Sequence, residues 1–66
     1  MQRGTYHEVT GMLLQDRNSL VVDVDGGGTW RLDAGWDARR LLGHRVRVYG
    51  RRDDFDLLAV KRMERI

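Results

Sequence analysis

The chain has 66 residues, with 12 Lys+Arg against 10 Asp+Glu, eight Gly, no Pro and no Cys. One small domain is all that fits, and no disulfide or Cys-ligated zinc can staple it. Apolar stretches such as Leu20-Val21-Val22 fall far short of a membrane span or a signal-peptide core, and 41% hydrophobic with 33% charged residues is globular rather than disordered. A cytoplasmic protein with no membrane partner is therefore expected, with an ordered core from about residue 6 to 63. The sequence pI near 9.7 overstates the field at neutral pH, because the net charge is only +2 and eleven of the twelve bases are Arg.

In chain order, Glu8 to Leu14 reads as a strand with Val9, Gly11 and Leu13 on one face and Met12 and Leu14 on the other. Apolar residues on both faces and an internal glycine point to a strand that bends or bulges. His7 falls in the frayed start before it. Gln15 to Asn18 reads as a turn, and Ser19 to Val24 as a second strand with Leu20, Val22 and Val24 inward. Asp25-Gly26-Gly27-Gly28 is a hairpin signal, since only glycine takes positive φ without strain. Thr29 to Leu32 returns as the third strand, with Trp30 and Leu32 inward.

A short helix is predicted at about 34–42, with Asp33 or Asp37 at its start, Arg39 and Arg40 at its end and Gly43 just beyond. Trp36 is expected to plug one end of the barrel. Arg45 to Tyr49 alternates most cleanly, with Val46 and Val48 in and Arg45, Arg47 and Tyr49 out. Gly50 ends or bends that strand, Asp53-Asp54 makes a turn with Phe55 folded back on the core, and Leu57 to Val60 starts a fifth strand that runs into Lys61, Arg62 and Met63. The order β-β-β-α-β-β is that of the OB-fold, a five-stranded Greek-key barrel. An SH3-like barrel is the alternative, and it would carry only a 3₁₀ turn between the third and fourth strands.

Gly27-Gly28-Thr29-Trp30-Arg31-Leu32-Asp33 followed by Leu41-Leu42-Gly43-His44-Arg45-Val46-Arg47-Val48-Tyr49-Gly50 resembles a family of very small bacterial proteins of unknown function. Its members share a GGTWRLD stretch ahead of an LLGxRVRVxG stretch. The resemblance implies an OB-like fold and carries no activity and no catalytic residues.

The motifs that would announce chemistry fail on inspection. Asp23-Val24-Asp25-Gly26-Gly27-Gly28 starts like a calcium loop, but Gly27 and Ala34 stand where oxygen ligands are needed. The glycine run has Arg31 where a dinucleotide motif needs its last glycine, and it precedes a strand. His7 and His44 have no Ser or Cys partner, and Asp53, Asp54 and Asp56 have no pocket to split their pKa values. No enzyme activity, cofactor or metal is expected.

Charge segregation is the informative feature. Residues 1–38 hold three Arg against six acids, whereas residues 39–52 hold Arg39, Arg40, Arg45, Arg47, Arg51 and Arg52 with no acid. Those six arginines with Tyr49 form the expected site, a face for single-stranded nucleic acid or another polyanion. Tyr49 is expected to be exposed, and Trp30 to lie in the core. The face of the second and third strands, where OB-folds commonly bind nucleic acid, would present Ser19, Val21, Asp23, Thr29 and Arg31, a poor platform. Two readings compete with the polyanion face. In one, the arginines only solubilise the barrel and pair with acids such as Asp53, Asp54 and Asp56. In the other, a protein partner or a second copy docks on a barrel edge or on an apolar patch of Val21 with Met12 or Met63.

Overall fold

The computed structural model describes residues 5–66, the Trp36 side chain excepted, and contains five strands: β1 (Tyr6–Asp16), β2 (Ser19–Val24), β3 (Thr29–Asp33), β4 (Arg45–Asp54) and β5 (Leu57–Arg65). Alternation sets the inward face of each. Leu13, Leu20, Val22, Leu32, Val46, Val48 and Leu58 form the buried core, with Val9, Trp30, Leu41, Val60 and Met63 packed around it. No polar or charged residue is buried among the described residues. Hydrophobic burial therefore carries the fold without a buried charge to offset. No helix among the described residues is long and apolar enough to cross a membrane.

β1 is shared between two neighbours. It pairs with β4 from Tyr6 to Met12 and with β2 from Gly11 to Asp16, so the two ladders overlap at Gly11 and Met12. Gly11 is buried there, and a Cβ on it would stand 2.1 Å from the Asp23 carbonyl oxygen. Only glycine lets the strand bend against its partner this closely. The β2–β3 hairpin turns through Gly26, Gly27 and Gly28, all at positive φ (91°, 120° and 89°), which is the conformation the glycine run predicts.

The chain then departs from a meander. β4 does not lie beside β3; the segment after Asp33 crosses the end of the sheet and β4 returns antiparallel to β1. β5 follows by a hairpin and fills the gap, so the strands close in a ring in the order β1-β2-β3-β5-β4. The closing contact is a parallel seam of three residue pairs, from Arg31 opposite Leu57 to Asp33 opposite Ala59. Its entry is doubly tied: the Arg31 N–H donates to the Asp56 carbonyl at 2.7 Å, and Arg31 Nε and Nη2 donate to Asp56 Oδ1 at 3.0 and 2.7 Å. The hydrogen bonds from Arg31 hold the Asp56 carboxyl below its ordinary pKa, and the same bonds raise that of Arg31.

Several expectations are corrected. The predicted helix is a 3₁₀ turn, Trp36–Leu41, with no side-chain cap at Gly35 and with i to i−3 bonds from Ala38 to Gly35 and from Leu42 to Arg39. Gly43 N–H donates to the Leu13 carbonyl at 2.8 Å, which ties the segment back to β1 before an α-helical turn could form. A 3₁₀ connection is what an SH3-like barrel was expected to show, whereas the crossing of β4 to β1 departs from any simple meander. Of the two expectations for Gly50, to end or to bend β4, the bend is what the strand shows: Gly50 is buried at a bulge against β5 and β4 runs on to Asp54. The turn falls at Phe55-Asp56 instead of Asp53-Asp54. Phe55 points away from the core and is 80% exposed. His7 belongs to β1 and packs its ring 5.3 Å from that of Trp30, which is half-buried against the core as expected. The expectation for the Trp36 side chain lies outside the described residues.

Two stability experiments follow from these contacts. Gly11→Ala places a methyl against backbone that must shift, at a cost of about 1–3 kcal/mol, so its thermal midpoint should fall by roughly 5–20 °C. Gly35→Ala, with φ of −74° and no atom within 4 Å of its Cβ, should leave the midpoint unchanged or slightly raised; equal losses would remove the bend argument. Because the folded-state pKa of Asp56 is lowered, its contribution is present at neutral pH and disappears as pH falls below about 4. Thermal melts from pH 7 to 2 should show Asp56→Asn starting less stable than the parent and losing less on acidification. Parallel curves would mean that the seam does not depend on the carboxylate.

Candidate polyanion-binding face

Inward Val46, Val48 and Gly50 force Arg45, Arg47, Tyr49 and Arg51 onto the outer surface of β4. This row is flanked by Glu8 and Tyr6 of β1, opposite Tyr49 and Arg51, and by Glu64 and Arg62 of β5, opposite Arg47 and Tyr49. The Tyr6 ring stacks on Tyr49 with centroids 5.5 Å apart and planes at 18°, and the Arg62 guanidinium lies 5.5 Å from the Tyr49 centroid. Three strands thus build one column, Tyr6–Tyr49–Arg62, with Arg47 on one side and Arg51 on the other. Tyr49 is half-buried rather than exposed, because its neighbours cover it; Tyr6 is the exposed member at 52%.

The seven predicted site residues do not form a single patch. Arg45, Arg47, Tyr49 and Arg51 share the outer row of β4. Arg52 reaches the hairpin tip, where its Nε donates to the Asp54 carbonyl at 3.2 Å and its guanidinium sits 5.8 Å from the Phe55 ring. Arg39 contacts Gln15 Oε1 at 3.3 Å near the end of β1. Arg40 lies on the other side of the 3₁₀ turn, in a groove against β5. The structure adds Tyr6, Arg62 and Phe55, none of which was assigned to the site from the sequence.

Acids answer most of the row. Arg45 pairs with Asp25, Arg47 with Glu64 at 3.0 Å and Arg51 with Asp53 at 3.2 Å. All of these partners are substantially exposed, and such pairs are individually worth about 0–1 kcal/mol, so an anionic ligand can displace them at small cost. The pairing with Asp53 is the solubilising arrangement the sequence suggested, while Asp56 is taken by Arg31 and Asp54 Oδ1 accepts the Phe55 N–H at 2.7 Å. Each member of the acidic cluster therefore has a structural partner. Among the described residues no three His, Asp or Glu gather as metal ligands. His44 is exposed, in the bend just before β4.

The outer face of β2 and β3 is plain by comparison. Arg31, its one base, is locked to Asp56. Beside it, Met12 and Leu14 of β1, each 40% exposed, stand outward next to half-buried Val21 of β2. Met63 does not join this patch, since it packs against the core.

No curated protein and no solved structure matches the chain. The model of a family described as a protein of unknown function (DUF5818) matches residues 10–66, from the middle of β1 to the end of β5, and the chain belongs to that family.

Proposed function

We propose that the ring is an OB-type barrel serving as a non-enzymatic binding module, and that it takes a polyanion, with single-stranded nucleic acid the best fit, on the outer face of β1, β4 and β5. The strand order supports the fold reading. β1, β2 and β3 follow by hairpins and β4 returns by a long connection to lie beside β1, which is the Greek-key arrangement. With β5 inserted between β4 and β3, the ring has the five strands of an OB barrel.

The observation that carries the functional reading is the Tyr6–Tyr49–Arg62 column between Arg47 and Arg51. Single-stranded nucleic acid needs a π surface for its bases and cations for its backbone within one nucleotide of each other. The column offers both, and the bland alternative, arginines that only solubilise, does not account for two tyrosines drawn from separate strands into one stack. The exposed Phe55, at the end of the same hairpin and beside Arg52, extends the line toward the tip of β4.

An NMR titration with a short single-stranded oligonucleotide tests this. Shifts should cluster on Tyr6, Arg47, Tyr49, Arg51 and Arg62, and Tyr49→Ala should weaken binding by about 5- to 150-fold, the loss expected from one base stack. Three or four phosphate contacts would lower the affinity roughly 10- to 60-fold between 50 and 200 mM salt. Absence of any complex at low salt, or shifts confined to β2 and β3, would sink the proposal.

A further inference from the structure

We infer that the free edge of β5, from Lys61 to Arg65, is a docking site for an acidic, extended peptide segment of a partner protein, which adds to the sheet as a further strand. This does not rest on the polyanion reading, because it uses the open backbone edge of β5 and the groove beside it, and only Arg62 is common to both surfaces.

The ring is closed but not completely. β3 runs beside β5 only as far as Ala59, and from Lys61 to Arg65 β4 is the sole strand next to β5. Ile66 N–H donates to the Arg45 carbonyl at 3.0 Å. By antiparallel alternation, Arg62, Glu64 and Ile66 spend their backbone groups on β4, and Met63 and Arg65 direct theirs to the other side. No backbone or side chain among the described residues takes those groups up. Between this edge and the 3₁₀ turn lies a groove of about 370 Å³, within the ordinary size range of ligand clefts. Ala38, Leu41, Val60 and Met63 give it an apolar floor, and Arg40, Lys61 and Arg62 stand on its rim against the single acid Asp37.

Unpaired strand edges recruit strands, by main-chain bonds for affinity and alternate pockets for specificity. The charge decides which strand. Two copies joined edge to edge would bring Lys61, Arg62 and Arg65 of both together, and a lysine beside a bulge is a device that discourages such self-pairing. Arg40 and Lys61 have no acid partner among the described residues, so the same cations that repel a second copy attract an acidic strand. A strand with acidic residues on one side and small apolar ones on the other meets the floor, the rim and the open N–H and C=O groups at once. A nucleic acid would use the rim and leave the backbone edge unanswered.

The probe is a capped Glu-Val-Glu-Val-Glu peptide, titrated into the labelled protein beside its Lys-Val analogue and an N-methylated version of identical charge. Expected are shifts on Ala38 to Leu41 and on Lys61 to Arg65, slowed amide exchange at Met63 and Arg65, and no binding of the other two peptides. Lys61→Glu and Arg40→Glu, both exposed and dispensable for the core, should each weaken the complex on the order of tenfold, while Arg51→Ala should leave it unchanged. The inference is overturned if the N-methylated peptide binds equally well, since charge alone would then explain the contact. It is equally overturned if the acidic peptide produces no shifts, or produces them on the β4 row. An oligonucleotide reports on Tyr49 and Arg51 instead, so failure of one proposal leaves the other readable.

Discussion

β3 and β5 meet over three residue pairs, and the closed sheet depends on that short parallel seam. The other four ladders are longer and antiparallel, and β1, β2 and β4 pair through them alone. Without the seam, β2 and β3 would hang as an open flap with an unpaired edge on β3, and the core leucines Leu20 and Leu32 would face water. Arg31 and Asp56 stand at the seam's entry and fix its register through backbone and side chain together. The ion pair is too exposed to contribute much as charge. Its value lies in position, because a one-residue slip there would turn every side chain of the β5 start to the wrong face.

The same alternation that fills the core distributes the arginines. With valines and a glycine inward on β4, its arginines have nowhere to go but out, and Glu64 of β5, Asp25 of the glycine hairpin and Asp53 of β4 itself meet them there. What looks in sequence like one block of positive charge becomes, in space, a paired row on β4, an amide contact at Arg39 and a cation in the groove at Arg40. Arg40 and Lys61, which no acid answers among the described residues, stand along the groove between the 3₁₀ turn and β5. Arg62 belongs to both surfaces, lining the groove while its guanidinium lies over Tyr49.

Much of this was legible from local pattern. The alternation around Val46 and Val48, the glycine hairpin and the bend at Gly11 are all set by residues within a few positions of one another. What escaped depends on partners distant in sequence. Asp53-Asp54 reads as a turn, but Arg31 claims Asp56 from 25 positions away and draws the hairpin tip two residues on. Phe55 is then left outside, because a turn residue at that place has no path to the core. His7 looks frayed until β4 lies beside it. Arg62 was missed because the irregular register near Lys61 shifts the phase of alternation on β5, placing an arginine opposite Tyr49 that a strict period of two would turn inward.

The double use of β1 has a consequence for how the molecule comes together. β1 to β3 can pair locally, yet that meander is a two-sided sheet with half a core. β4 must find β1 across the whole length of the first three strands, and β5 needs both β4 and β3 in place to complete its pairing. Loop closure is therefore met late and all at once, with no strand group able to stand alone as a stable fragment. Such a chain folds in a single concerted step, and the bend at Gly11, common to the first ladder and to the returning one, is the point through which both halves of the sheet gain or lose their order together.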